Sequence, residues 1–150
     1  MPMIMFQWVF DNAVTYNLDT SNMIIGGSSR GSVLSWVYGH RPNPNVKGLY
    51  MYNALPSTAW AFPDLWLPTE NVNNESPPIY FVYRREPGSS THPINPDIHD
   101  PNYGIIIVNK YQDLGIGDKA ILVHSIGQTN NTDKYQFLVD FALSVIETCQ

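Results

Sequence analysis

The chain has 150 residues, 43% hydrophobic and 13% aromatic, which is enough apolar material for one compact domain over 1–150 and excludes a disordered chain. Eight Lys and Arg against thirteen Asp and Glu give a net charge of -5 with no basic cluster, which disfavours nucleic acid as a partner. The single cysteine, Cys149, can make neither an internal disulfide nor a Cys-rich zinc site.

The first ten residues lack the basic start, apolar centre and small-residue cleavage site of a secretory signal, so the chain is expected to begin at or near Met1 and to work inside the cell. Its longest apolar runs fall far short of the roughly 20 residues a membrane helix needs. Residues 5–17 set Trp8, Val9, Ala13 and Tyr16 at helical spacing and stop at the polar turn Leu18-Asp19-Thr20-Ser21, which predicts a helix. Met23-Ile24-Ile25 is a short apolar run that stops at Gly26-Gly27, and a second helical stretch, 32–38, starts just behind. Segments 46–53 and 79–83 are compact, apolar and bounded by Pro, Gly and Asn, as strands buried on both faces are. Stretches 53–77 and 84–101, rich in Pro, Asn and Ser, read as long irregular excursions.

Ile105-Ile106-Ile107-Val108 has the β-branching of a strand, yet the run continues to Leu114 and ends at Gly115, a normal helix stop. A helix over 102–114 is therefore expected. Segment 120–126 reads as the last strand. The final helix opens with Thr132-Asp133 as a cap and lines up Tyr135, Leu138, Phe141, Ala142, Val145, Ile146 and Cys149 on one face. This α-β-α-β-β-α-β-α order predicts a three-layer α/β/α sandwich of about four mainly parallel strands.

At the first strand-to-helix turn stands Gly27-Ser28-Ser29-Arg30-Gly31, a G-x-S-x-G. Such a turn forces its serine into a strained backbone conformation, and glycines two positions before and after let strand and helix pass closely. The hydroxyl of Ser29 is then pushed out above the sheet, while the new helix aims the Arg30 backbone N–H at the point where an oxyanion forms. A bare pattern of this kind is more often a Gly/Ser turn without chemistry. The strand before it and the helix after it favour the nucleophile.

From these residues a resemblance follows. Segment 8–31 (WVFDNAVTYNLDTSNMIIGGSSRG) looks like the helix, loop, strand and elbow of α/β-hydrolase-fold esterases and related peptidases. Segment 46–50 is similar to the strand after the elbow helix, 77–83 to the strand that delivers the acid, 99–116 to the acid loop and its helix, and 119–125 to the last strand before the catalytic histidine. The resemblance implies a reduced α/β-hydrolase fold corresponding to the C-terminal half of that family, and a serine hydrolase acting on carboxylic esters. Two departures accompany it. The earlier strands, with the second oxyanion N–H, have no counterpart, and Asn130 stands where the histidine is expected. An amide cannot relay a proton from Ser29.

Other residues could supply the base and acid. His124 is the nearest substitute for the base, although its place in an apolar run also suits a hydrogen-bonded structural histidine; His92 and His99 could reach the site if their Pro-rich loop folds over it. Asp97 is preferred as orienting acid, by spacing back from Gly104, over Glu86, which is closer to the strand end. Asp97-Ile98-His99-Asp100 also offers oxygen and imidazole ligands, but without a metal-site spacing a solvated loop is the commoner reading, so neither metal nor cofactor is expected. Arg84-Arg85 could grip an acidic substrate or lie solvated at the sheet rim. Tyr50, Tyr52, Trp60, Phe62 and Trp66 would, by the resemblance, belong to a cap over the cleft, or else cover the core. The glycosylation triplets at Asn74 and Asn130 read as chance matches.

With no earlier strands, Met23, Ile24 and Ile25 would form an open sheet edge, costly where its polar groups are buried unpaired, so a second copy or a partner protein is expected to cover it. Two readings of function result. In one, the chain is an esterase with Ser29 as nucleophile, the Arg30 N–H at the oxyanion, Asp97 as acid and His124 or His99 as base, active alone or completed by a partner. In the other, it is a catalytically dead hydrolase derivative kept as a structural or interaction subunit.

Overall fold

A computed structural model describes residues 2–41, 45–58, 66–88, 97–126 and 131–147. The elements are α1 (Pro2–Tyr16), β1 (Met23–Ser29), α2 (Arg30–Gly39), β2 (Val46–Ala54), β3 (Ile79–Val82), α3 (Pro101–Asp113), β4 (Ala120–Val123) and α4 (Asn131–Glu147), with short 3-10 turns at Thr69–Asn71 and Gly117–Lys119. The four strands form one sheet in the order β1-β2-β3-β4, and every neighbouring pair is parallel. Parallel strands need crossovers, and α2 and α3 supply two of them.

The two-residue alternation of the strands divides the core into two layers. Leu49 and Met51 of β2, with Ile79 and Phe81 of β3, face Trp36 of α2 and Ile107 and Tyr111 of α3. Tyr50 of β2 and Val82 of β3 face Phe141 and Val145 of α4, with Tyr52 and Tyr80 packed against them. Helices thus cover both faces, and the expected three-layer arrangement is what the chain adopts. Tyr50 and Tyr52 belong to this core and not to a cap: the Tyr50 hydroxyl donates to the Lys134 carbonyl of α4 at 2.7 Å. Trp60 and Phe62 lie outside the described residues, and Trp66 is half-buried.

The β-branched run 105–108 is helical. Tyr103, Gly104, Ile107 and Tyr111 fall on one buried face, and Asp100 caps the start by accepting from the Asn102 N–H at 2.8 Å, with Pro101 in the first turn. Gly115, at φ 74°, lets the chain leave the helix end.

Several boundaries differ from expectation. β1 does not stop at the glycines but runs to Ser29, because Gly26 pairs with Tyr50, Gly27 with Met51 and Ser28 with Tyr52 of β2. α2 accordingly starts at Arg30, and β4 ends at Val123, short of His124. Among the described residues, β1 is an edge strand of the sheet and pairs along one side only. α1 exposes Met5, Trp8, Phe10, Val14 and Tyr16, while Phe6 stacks on Tyr38 of α2 with ring centroids 5.0 Å apart. Among the described residues, no helix is long and apolar enough to cross a membrane.

The two glycines of the G-x-S-x-G are not equivalent. A Cβ on Gly27 would stand 2.2 Å from the carbonyl carbon and oxygen of Gly31, which are backbone and cannot step aside, whereas a Cβ on Gly31 meets nothing within 4 Å. The close passage of strand and helix therefore requires glycine at 27 alone. Gly27→Ala is expected to cost about 3 kcal/mol or more in urea-unfolding free energy, at or above the usual range for overpacking. Gly31→Ala, in the first turn of α2, should be neutral or stabilise by up to about 1 kcal/mol.

Candidate active site

Ser29 ends β1 and immediately precedes α2, with φ 51° and ψ -119°. Positive φ at a non-glycine residue is strained by about 1–3 kcal/mol and persists only where neighbours enforce it. The enforcement is visible. The Ser32 hydroxyl, fully buried, donates to the Ser29 carbonyl at 2.6 Å and accepts from the Leu55 N–H at 3.1 Å, tying the elbow to the chain leaving β2. A register shift between Ser28 and Ser29 makes the ladder irregular at the same point, Ser28 pairing with Tyr52 and Ser29 with Ala54.

His99 lies across from the elbow, in the turn before α3. Its Nε2 is 3.0 Å from Ser29 Oγ, inside the 2.6–3.2 Å reach of a nucleophile and its base. Burial first, and then the Arg85 guanidinium, lower the pKa of His99 from its ordinary 6.5. The turn carrying it is held at both ends. Asp97 accepts the His99 backbone N–H at 3.0 Å and pairs with Arg85, while Asp100, buried, accepts from the N–H of Gly88 at 3.0 Å and of Asn102 at 2.8 Å.

The residues singled out from sequence are thus partly brought together. Ser29 and His99 meet directly. Asp97 is close, but its oxygens engage Arg85 and the backbone of His99, so it orients the turn and not the imidazole ring. The N–H of Arg30 is the first of α2 and, like other first-turn donors, has no partner within its helix. His124 stands past the end of β4, where its Nδ1 is 2.6 Å from Ser125 Oγ and 3.6 Å from Glu86 Oε2. Three strand spacings of about 4.8 Å separate β4 from β1, which puts roughly 14 Å of sheet between His124 and the elbow. Glu86, on the same side as His124, is largely exposed. His92 and Asn130 lie outside the described residues.

Arg85 is largely exposed at the rim, as a solvated charge would be, but it is paired with Asp97. Among the described residues, no group of three or more His, Cys, Asp or Glu side chains is placed to hold a metal ion, and the 97–100 cluster is spent on backbone contacts and the Arg85 pair. Two contributors were not singled out from sequence: Ser32, whose helix position three residues after the elbow carries no motif, and Asp100 as cap, which the Asp-Pro step at 100–101 signals.

No known protein family and no curated protein sequence matches the chain. Solved structures do. The carboxylesterase Cest-2923 from Lactobacillus plantarum superposes with a TM-score of 0.60 at 13% identity, over 83% of this chain and 50% of that one. The esterase PE8 gives a TM-score of 0.57 at 17% identity, over 95% of this chain and 59% of that one. At such identities the likeness establishes an esterase-like α/β fold. The chain spans little more than half the length of these esterases.

Ser32 supplies the test of how the elbow is held. Ser32→Ala leaves the Leu55 N–H buried without a partner and frees the Ser29 carbonyl. A loss of about 1–3 kcal/mol in urea unfolding is expected; an unchanged midpoint would show that the elbow is enforced elsewhere.

Proposed function

We propose that the chain is a serine hydrolase of carboxylic esters working through a Ser29–His99 pair. One observation carries this reading: a serine with positive φ at a strand-to-helix junction has an imidazole nitrogen 3.0 Å from its hydroxyl. For Nε2 to accept that proton, the neutral ring must carry its own on Nδ1. Ser29 Oγ then attacks the ester carbonyl carbon as its proton passes to His99 Nε2. The carbonyl oxygen, now negative, faces the Arg30 N–H at the start of α2. Collapse of the tetrahedral species expels the alkoxide, which takes the proton from His99 and leaves an acyl-serine. Water, deprotonated by the same nitrogen, hydrolyses it.

A second reading, a hydrolase-derived chain retained for binding, also has an observation in its favour. Among the described residues no carboxylate hydrogen-bonds the His99 ring, so the pair lacks the group that stabilises an imidazolium in a triad.

A fluorophosphonate probe separates the two. The ester hydrolase reading predicts an adduct on Ser29 that is lost in Ser29→Ala, and at least about 100-fold slower p-nitrophenyl acetate turnover in His99→Gln. His124→Gln should leave turnover unchanged. No labelling, under conditions that label a control esterase, favours the binding reading.

The pH profile has a definite sign. Only neutral His99 accepts a proton, and its pKa lies below 6.5, so the acid limb of kcat/KM should fall below pH 6.5. A limb above that value would show that another group, or an unburied His99, is the base.

A further inference from the structure

The segment that follows β3 and the turn that carries His99 are fastened to each other at two separate points. At one, the Gly88 N–H donates to Asp100, and the Asn102 side chain donates to the Gly88 carbonyl. At the other, Arg85 pairs with Asp97, whose second oxygen takes the His99 backbone N–H at 3.0 Å. Arg85 is itself fixed through its main chain, since its carbonyl accepts from the Ser125 N–H at 3.0 Å beyond β4. A continuous path of polar contacts therefore runs from the end of β4, through Arg85, Asp97 and His99, to Ser29 Oγ at the end of β1. It joins the two edge strands above the sheet.

We propose that Arg85 is a positioning residue: by pairing with Asp97 it holds the 97–100 turn in register with the elbow, so that the His99 imidazole stands on Ser29. The inference rests on the reading of Ser29 and His99 as nucleophile and base. It assigns the largely exposed Arg85 a part that neither an unpaired rim charge nor a substrate clamp would play. The Gly88 contacts do not depend on Arg85, so the turn stays attached when the guanidinium is removed, and what loosens is the end that bears the imidazole.

Among the described residues, four charged groups bear on His99. Asp97 and Asp100 belong to its own turn, and both are engaged as described. Arg30 follows Ser29 on α2, and Arg85 comes from the segment after β3. Of these, Arg85 is the one whose charge acts on the ionisation of the imidazole, adding to the effect of burial by disfavouring the protonated ring. The same guanidinium that sets the turn thus adds to burial, the larger cause, in favouring the form of His99 that can accept a proton.

The test follows His99 in the full-length chain by nuclear magnetic resonance, alongside phosphonylation of Ser29. In the wild type the neutral ring should show the Nδ1–H tautomer and titrate below 6.5. Arg85→Gln should mix the tautomers, move the titration midpoint upward and slow labelling about 2- to 5-fold, the range expected of a partly exposed ion pair. Arg85→Lys keeps the charge and should restore the midpoint and most of the labelling rate. An Arg85→Gln variant with the wild-type tautomer and midpoint overturns the proposal, as does an Arg85→Lys variant that shifts as far as Arg85→Gln. The resonance measurements decide this whether or not Ser29 reacts. Absence of labelling alongside the predicted shifts tells against the hydrolase reading alone.

Discussion

A single backbone conformation organises the molecule: Ser29 at φ 51°, the last paired residue of β1 and the one before the first turn of α2. A conformation costing about 1–3 kcal/mol is a sizeable part of a stability of roughly 5–15 kcal/mol, so the surroundings must hold it firmly. They do so with a glycine that allows strand and helix to touch, a buried serine hydroxyl that grips the Ser29 carbonyl, and pairing to β2 that runs through Ser29 itself. The outcome is a hydroxyl placed above the C-terminal end of a parallel sheet. That is where loops of α/β folds assemble their chemistry.

What completes the site comes from a different strand. The turn before α3 brings His99 to the elbow from beyond β3, two strands away in the sheet, and the contacts of Asp97 and Asp100 determine where it arrives. Asp100 serves twice, as cap for α3 and as anchor for the segment after β3, so the helix start and the site share one buried carboxylate. The core beneath is conventional. Two layers of alternating strand residues meet helices on either face, which leaves the upper rim free to carry strained and polar geometry without weakening the interior.

Much of this was legible in the sequence. The element order, the parallel sheet and the elbow follow from apolar periodicity broken by glycine, and even the β-branched run 105–108 resolves as helix once Gly115 and the spacing of Ile107 and Tyr111 are weighed. Propensity yielded there to packing, because Ile107 is buried while Ile106 faces outward. The strand end was hidden, since Gly26 and Gly27 look like a turn but pair within the sheet. The histidine that meets Ser29 was only half legible, for a different reason. Spacing along the chain put His124 first with His99 as its alternative; His124 stands across the sheet past the end of β4, whereas His99 is brought to Ser29 by a turn held through contacts of Asp97 with Arg85 and of Asp100 with Gly88. Such contacts are long-range pairings that no local pattern encodes. Gly31 shows the reverse, a motif position whose side of the contact has room for a methyl group.

The account stands on the geometry of residue 29, and a crystal structure of the unmodified chain measures it most directly. A positive φ at Ser29 with an imidazole nitrogen of His99 within hydrogen-bonding distance of its Oγ is the predicted result. A Ser29 in ordinary strand or helix conformation, or a hairpin in place of the strand-to-helix junction, would contradict it.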